Sequence, residues 1–181
     1  MDDFEDYTDN DSAGEALWQS WIDGFGVPEN GAQAGYLLPP YAERTIVHGG
    51  LQSMPLMYDN ATGAAAYSEA TRTLGYPRDW TENSVSALVI WFRGKSNNAA
   101  EPLYVTVSNA SGASATVVHN DANAARTGPW TKWVIPLQAF TDRGINLTNV
   151  DKIAIGLGVK GGAASPGGSG TVYFDDIALY Q

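Results

Sequence analysis

The chain has 181 residues, with 10 Lys and Arg against 20 Asp and Glu, a formal net charge of −10, and no cysteine. A nucleic-acid-binding protein needs a basic face to displace counterions from phosphates, and docking on an anionic membrane needs one too, so the charge disfavours both classes. Without cysteine, disulfide frameworks and thiolate metal sites are excluded. Apolar residues make up 44% of the chain, enough for a core, and we expect one domain over residues 1–181.

Short runs of β-branched and aromatic residues, separated by turns rich in Gly, Asn, Asp and Ser, dominate the sequence and predict strands. In chain order, the predicted strands are residues 4–7, 18–23, 54–58, 66–74, 88–93, 103–108, 115–118, 133–135, 152–159 and 171–180. A hairpin turn at 109–112, one helical turn at 136–140 and a flexible loop at 161–170 interrupt them. Roughly ten short strands at even spacing predict an all-β fold, a two-sheet antiparallel β-sandwich or jelly roll.

Three of these strands place aromatic and charged side chains on the face opposite their apolar residues; in one, Leu88 and Ile90 alternate with Trp91 and Arg93. Rings stack on the C–H faces of sugars and charged groups bind their hydroxyls, so on one sheet these side chains would form a carbohydrate platform. The predicted binding residues are Tyr67, Glu69, Trp91, Arg93 and Tyr104, with Trp18 near a loop edge as a further candidate. If loops or strands cover that face, Trp91 is instead a core residue, and Glu69 and Arg93 form a buried pair.

Five segments together carry a recognisable family pattern. They are Asp3-Phe4-Glu5-Asp6, residues 47–54 (VHGGLQSM), residues 79–81 (DWT) followed by 88–94 (LVIWFRG), residues 130–137 (WTKWVIPL), and residues 170–177 (GTVYFDDI). In this order they resemble the galactose-binding-like jelly rolls, a group that holds many carbohydrate-binding modules, and in particular the family 11 type and its relatives. The resemblance covers essentially the whole chain.

The resemblance implies a non-catalytic carbohydrate-binding module with a galactose-binding-like β-sandwich. Such a module would bind a plant or microbial polysaccharide, with β-glucan-like chains as the first choice. It would be monomeric and would target a covalently linked catalytic domain in a larger, secreted or cell-surface protein. A ligand-free structural or adhesion sandwich is the alternative.

The resemblance also implies a structural calcium ion. Glu5 and one of Asp175 and Asp176 would bind it together with backbone carbonyls from the turn between Gly49 and Gln52. Calcium takes six to eight oxygen ligands, and the first and last strands of a jelly roll lie side by side, so carboxylates from the two ends of the chain can meet there. The alternative is that these acids form a solvated surface cluster. The two histidines are too few and too scattered to suggest zinc.

Nothing in the sequence marks a catalytic centre. A glycosidase needs two carboxylates on either side of the scissile bond, and no pair stands out among the 20 acids. The G-x-S-x-G motif of serine hydrolases is absent. A jelly-roll polysaccharide lyase would need three characteristic strand motifs; residues 67–72 resemble the first only faintly, and Asp175 stands where the third has lysine. We therefore expect no enzymatic activity, with a lyase as the less favoured alternative.

Overall fold

The structure is a computed structural model that describes residues 1–76, 78–161 and 167–181. Within these residues the chain forms strands β1 to β10, two short helices, and single 3-10 turns at Asp11–Ala13, Ala124–Arg126 and Leu147–Asn149. The helices are α1 (Leu17–Ser20) and α2 (Gln138–Thr141). The strands are β1 Trp21–Ile22, β2 Ala32–Ala34, β3 Met54–Asp59, β4 Tyr67–Thr73, β5 Ala87–Arg93, β6 Leu103–Asn109, β7 Ser114–Val118, β8 Thr131–Pro136, β9 Val150–Gly158 and β10 Ser169–Tyr180.

The strands form two five-stranded sheets. The front sheet has the order β1-β4-β9-β6-β7, and the back sheet has the order β2-β3-β10-β5-β8. Every pair of neighbouring strands is antiparallel. The predicted fold class, a two-sheet antiparallel β-sandwich, is confirmed.

The core lies between the sheets and follows the alternation of the sequence. Val105 of β6 and Ile155 of β9 are fully buried in the front sheet, as are Ile90 of β5 and Phe174 of β10 in the back sheet. Successive side chains of a strand point to opposite faces, so the residues between these ones lie on the outer faces of the sandwich. The outer faces therefore carry the candidate sites.

Three details of the predicted secondary structure are wrong. Residues 4–7 form a turn, not a strand, and only an isolated bridge joins Asp2 to Ile177 of β10. Residues 18–23 divide between α1 and β1, and the short strand β2 had no counterpart in the prediction. The ring of Phe4 packs against Trp21 at a centroid distance of 6.0 Å, so burial of one aromatic side chain, rather than strand pairing, fixes the start of the chain.

Two local predictions have different outcomes. The hairpin turn at 109–112 is confirmed, because it joins the paired strands β6 and β7. The loop expected at 161–170 falls partly outside the described residues, since 162–166 are not among them, and β10 already begins at Ser169.

The segment between β2 and β3 covers much of the outer face of the back sheet. The His48 ring stacks on Trp91 of β5 at a centroid distance of 3.8 Å, and the His48 N–H donates to Asp175 of β10 at 2.8 Å. Tyr173, which also points outward from β10, is buried beneath this layer. None of the helices in the described residues has the length and hydrophobicity that a membrane-spanning helix requires.

Candidate functional site

The outer face of the front sheet carries a row of hydroxyl groups. Thr71 of β4, Ala154 of β9, Thr106 of β6 and Thr116 of β7 are paired across four neighbouring strands, so their side chains stand side by side. The hydroxyls of Thr106 and Thr116 are hydrogen-bonded at 2.8 Å. A shallow groove of about 410 Å³ lies over this row. We call it the front-sheet groove; its lining is Glu69, Thr71, Thr106, Ser108, Ser114, Thr116, Lys152, Ala154 and Lys160.

A second row, one step along the strands, contains Glu69, Gly156 and Tyr104. The Tyr104 ring lies across Gly156, where a β-carbon would overlap its Cζ and hydroxyl oxygen. Glu69 is 4% exposed and Tyr104 is 2% exposed, although both lie on the outer face. Glycine in a strand often marks such a close approach, so a buried carboxylate and a buried phenol meet beside the groove.

The buried pair is closed to solvent. The Oε1 atom of Glu69 forms an ion pair with Lys160 Nζ. The Tyr104 hydroxyl lies beside the Glu69 carboxylate, and neither this hydroxyl nor Glu69 Oε2 is accessible from the groove. Burial, followed by the neighbouring Glu69 carboxylate, raises the pKa of Tyr104 well above its ordinary value of 10, so the phenol stays protonated. The pair therefore shapes one end of the groove, while the hydroxyl row and the lysines are the groups open to a ligand.

Two lysines stand at opposite ends of the groove. The Lys160 ammonium also lies over the Tyr67 ring, 5.3 Å from its centroid. Lys152, paired with Thr73 and Ser108, is exposed four residues before Gly156 on β9. At about 3.3 Å per residue, the Cα atoms of residues 152 and 156 are roughly 13 Å apart. The groove therefore offers hydroxyls along its floor, an ammonium at each end and one carboxylate.

The structure brings together only part of the predicted sugar platform. Tyr67, Glu69 and Tyr104 share the outer face of the front sheet. Trp91 and Arg93 point outward from β5, which belongs to the back sheet between β10 and β8. The prediction that all five residues lie on one sheet is therefore wrong. Alternation along a strand gives the face of a residue but not the sheet to which the strand belongs.

Trp18 lies apart from both of these groups. It sits on α1, is 39% exposed, and meets the Tyr41 ring edge-on at a centroid distance of 6.3 Å. Its predicted role in sugar binding stays a prediction, and it would have to act at the edge of the front sheet, where α1 leads into β1.

Trp91 borders a second and larger cavity, of about 870 Å³. With His48 stacked on one side of its ring, Trp91 shares the wall with Lys132 and Tyr180 of the back sheet. Lys132 Nζ lies 5.1 Å from the centroid of the Tyr180 ring. The N-terminal residues complete the wall, including Asp2, which pairs with Arg72 and accepts a hydrogen bond from Trp21 Nε1 at 2.8 Å.

The residues predicted to hold calcium meet at residues 48–52, but their carboxylates accept bonds from backbone N–H groups. Asp175 Oδ2 accepts from the N–H groups of His48 and Gly49 at 2.8 and 3.2 Å, and Oδ1 accepts from Asp176 at 2.8 Å. Burial outweighs these bonds and raises the Asp175 pKa from 3.8 to about 6. Glu5 Oε1 accepts from the N–H groups of residues 51 and 52 at 2.8 and 2.9 Å.

These residues fit calcium in part. Both carboxylate oxygens of Asp175 accept hydrogen bonds from backbone N–H groups. Among the described residues, no cluster of three acidic or histidine side chains is suited to hold a metal ion. Glu5 and Asp176 flank the two glycines of the turn, and Asp176 Oδ2 would lie 2.8 Å from a β-carbon at Gly49. In Glu5, Oε2 has no hydrogen bond among the described residues. Asp176 Oδ2 also contacts His48 Nδ1 at 2.6 Å, so the ligands on offer are Oε2 of Glu5, the other carboxylate oxygen of Asp176 and the carbonyls of the turn.

The groove contains further residues that are not among the predicted binding residues: Thr71, Ser108, Ser114, Thr116, Lys152 and Lys160. The available signal is the alternation of Thr and Ser along β6 and β7, because it places Thr106 and Ser108 on the same face as Tyr104. The pairing of β9 between β4 and β6, which brings Lys152 into the groove, has no local signature in the sequence.

No protein-family model matches the chain, and no curated protein matches it either. Solved structures do. A family 30 carbohydrate-binding module of a cellulosomal cellulase of Clostridium thermocellum aligns with a TM-score of 0.53 and 16% identity, over 77% of this chain and 80% of that one. The module CtCBM11 aligns with a TM-score of 0.55 and 16% identity, over 98% and 91%. A β-1,2-glucanase from Parabacteroides distasonis aligns with a TM-score of 0.54 and 23% identity, over 82% and 23%.

These similarities show the fold. The chain has the β-sandwich architecture of family 30 and family 11 carbohydrate-binding modules, and the resemblance read from its motifs is confirmed at that level. It spans about a quarter of the length of the glucanase that it matches.

Proposed function

We propose that the chain is a non-catalytic carbohydrate-binding module that binds a polysaccharide along the front-sheet groove. The observation that carries this proposal is the open row of hydroxyl groups of Thr71, Thr106 and Thr116 on the outer face of the front sheet, with a lysine at each end of the groove. A sugar hydroxyl both donates and accepts, so it can bond a threonine hydroxyl in either direction.

The shape and chemistry of the groove support an extended ligand. Its floor consists of threonine and serine hydroxyls, and its ends are about 13 Å apart along β9. The layer formed by residues 35–52 leaves this face uncovered and lies on the opposite sheet. A chain of sugars can therefore lie across several strands and exchange hydrogen bonds with each.

We also propose the kind of glycan that the module binds and the kind of protein to which it belongs. The resemblance favours β-glucan-like chains, and two neighbours point toward glucan chemistry: one is a module of a cellulosomal cellulase and the other is a β-1,2-glucanase. By the same analogy the module would belong to a secreted protein and would direct an attached catalytic domain to its substrate.

We also propose that calcium, where present, is held by Glu5 and Asp176 with carbonyls of the turn at residues 49–52. Its chemistry would be structural, since a divalent cation neutralises two carboxylates that fix the two ends of the chain to the same turn. Asp175 would position the turn through its N–H bonds and would not be a ligand.

Affinity electrophoresis and calorimetry against a panel of neutral and charged polysaccharides test the proposed function. Thr71→Val removes one hydroxyl from the groove and keeps the β-branched shape, so we expect little change in stability and affinity that is roughly fivefold weaker. Tyr180→Phe, which removes a hydroxyl from the back sheet, is the control and should bind as wild type. Failure to bind any polymer would contradict the proposal and favour the ligand-free structural sandwich.

A further inference from the structure

We infer that the polysaccharide bound in the front-sheet groove carries negative charge. This inference rests on the proposed function of polysaccharide binding; it specifies the chemical class of the ligand and sets aside the neutral β-glucan-like chains that the resemblance favours. The groove combines a local excess of positive charge with the absence of an exposed aromatic ring from its lining, and each feature points to recognition by ionic and polar contacts.

The charge of the groove is opposite to that of the rest of the protein. Two of the four lysines in the chain, Lys152 and Lys160, line the groove, and Glu69 is the one acidic side chain that the described residues contribute to it. Lys160 is paired with that carboxylate, whereas Lys152 has no hydrogen bond or ion pair within the described ranges. The chain as a whole has a net charge of −10. The unpaired ammonium group of Lys152, beside a floor of hydroxyl groups, therefore makes this groove a place where the protein favours binding of an anion.

The rings near the groove are poorly placed for stacking. Tyr104 is 2% exposed, and Lys160 lies over the Tyr67 ring. Among the described residues, the groove lining contains threonine, serine, alanine, lysine and glutamate but no aromatic residue. In this groove no exposed aromatic ring of the described residues can stack on the C–H face of a sugar. Hydrogen bonds and charge must therefore provide most of the affinity for a ligand.

The overall negative charge does not prevent such binding. At physiological ionic strength, interactions between exposed charges fade beyond roughly 8 Å. Distant carboxylates therefore repel a polyanion weakly, while a contact with Lys152 keeps most of its strength. The lysine ammonium is a compact point charge without the forked geometry of the arginine side chain. It can therefore donate hydrogen bonds to either a carboxylate or a sulfate ester.

Calorimetry with four probes tests this inference: polygalacturonate for carboxylates, carrageenan for sulfate esters, and mixed-linkage β-glucan and galactomannan as neutral polymers. We expect measurable binding to at least one charged probe, weakened by added salt, and weaker or no binding to the neutral ones. Comparison of the two charged probes distinguishes the source of the anion. Lys152→Ala should weaken that binding roughly fivefold, and Lys152→Glu should weaken it more than tenfold.

Lys132→Ala is the matched control, because it removes the same charge from the outer face of the back sheet. Since Lys152 is exposed and unpaired, its variants should unfold at the wild-type temperature. Binding only to neutral polymers would overturn this inference and leave the proposed function standing. Binding to a charged probe that is insensitive to Lys152 would also overturn it, and no binding to any probe would overturn both.

Discussion

The phenol ring of Tyr104 lies across Gly156, the residue paired with it on the neighbouring strand, and turns its hydroxyl toward Glu69. A side chain at position 156 would occupy the space of the ring. Because Gly156 has none, the ring lies flat on the sheet and is almost completely buried. One glycine thus determines whether the Tyr104 ring lies buried beside the groove or projects away from the sheet.

Gly156→Ala should therefore displace the Tyr104 ring. Overpacking of this kind costs roughly 1–3 kcal/mol, and the displaced ring should weaken polysaccharide binding as well. Urea denaturation followed by intrinsic fluorescence measures the first effect, and calorimetry measures the second. Gly128→Ala is the control, because a β-carbon there meets no atom within 4 Å. Equal stability of the two variants would show that the ring moves aside without cost.

The sequence predicts the sandwich because alternating apolar residues specify which face of each strand is buried. It identifies Tyr67, Glu69 and Tyr104 as outward-facing for the same reason. It does not specify the order of strands, which depends on pairing between residues far apart in the chain. Trp91 illustrates this limit: its outward orientation was predicted, but β5 pairs with β10 in the other sheet. The start of the chain was also predicted incorrectly. Residues 4–7 form a turn and not a strand, and the side chain of Phe4 is buried.

A second prediction concerns Glu43, which anchors the layer over the back sheet. Its Oε1 accepts from the N–H and hydroxyl of Thr45, both at 2.6 Å, and its Oε2 accepts from the Tyr36 hydroxyl at 2.5 Å. Burial alone would raise the Glu43 pKa, but the hydrogen bonds from Thr45, Tyr36 and Ile46 lower it from 4.5 to about 2. Because the folded protein holds this proton less tightly than the unfolded chain, ionised Glu43 favours folding.

Its stabilising effect should be complete above about pH 4.5 and should be lost as the pH falls toward 2. Glu43→Gln should lower the free energy of unfolding at pH 7 by roughly 2–3 kcal/mol, since an amide nitrogen cannot accept these hydrogen bonds. The difference from wild type should shrink as the pH falls from about 4.5 toward 2, as measured by urea denaturation. Glu29→Gln, at an exposed position, is the control. A difference that is independent of pH would contradict the role of the charge.

The third prediction concerns calcium. A ligand that binds only the folded protein stabilises it by mass action, by about 2.7 kcal/mol at 100 times its Kd. Calcium should therefore raise the melting temperature of the wild type, and a chelator should reverse the rise. Glu5→Gln retains a carbonyl oxygen for the N–H groups of residues 51 and 52 but loses the negative charge, so its melting temperature should no longer respond. Glu82→Gln should respond as wild type does. A wild-type melting temperature that calcium does not change would refute the calcium proposal.

The fourth prediction separates the two outer faces. Thr106 lies on the floor of the front-sheet groove, whereas Trp91 lies on the back sheet beneath His48. Thr106→Val keeps the β-branched shape that a strand favours but removes one hydroxyl, so polysaccharide affinity should fall roughly threefold to tenfold with little change in stability. Trp91→Ala should leave affinity unchanged, although loss of the His48 contact should lower the melting temperature.

Calorimetry with the same polymer for both variants, alongside their melting curves, makes the comparison. The physical basis is that a ligand lying across β4, β9, β6 and β7 cannot also touch a side chain on the opposite side of the core. The reverse outcome, in which Trp91→Ala abolishes binding while Thr106→Val binds as wild type, would move the carbohydrate site to the 870 Å³ cavity beside Trp91 and Tyr180.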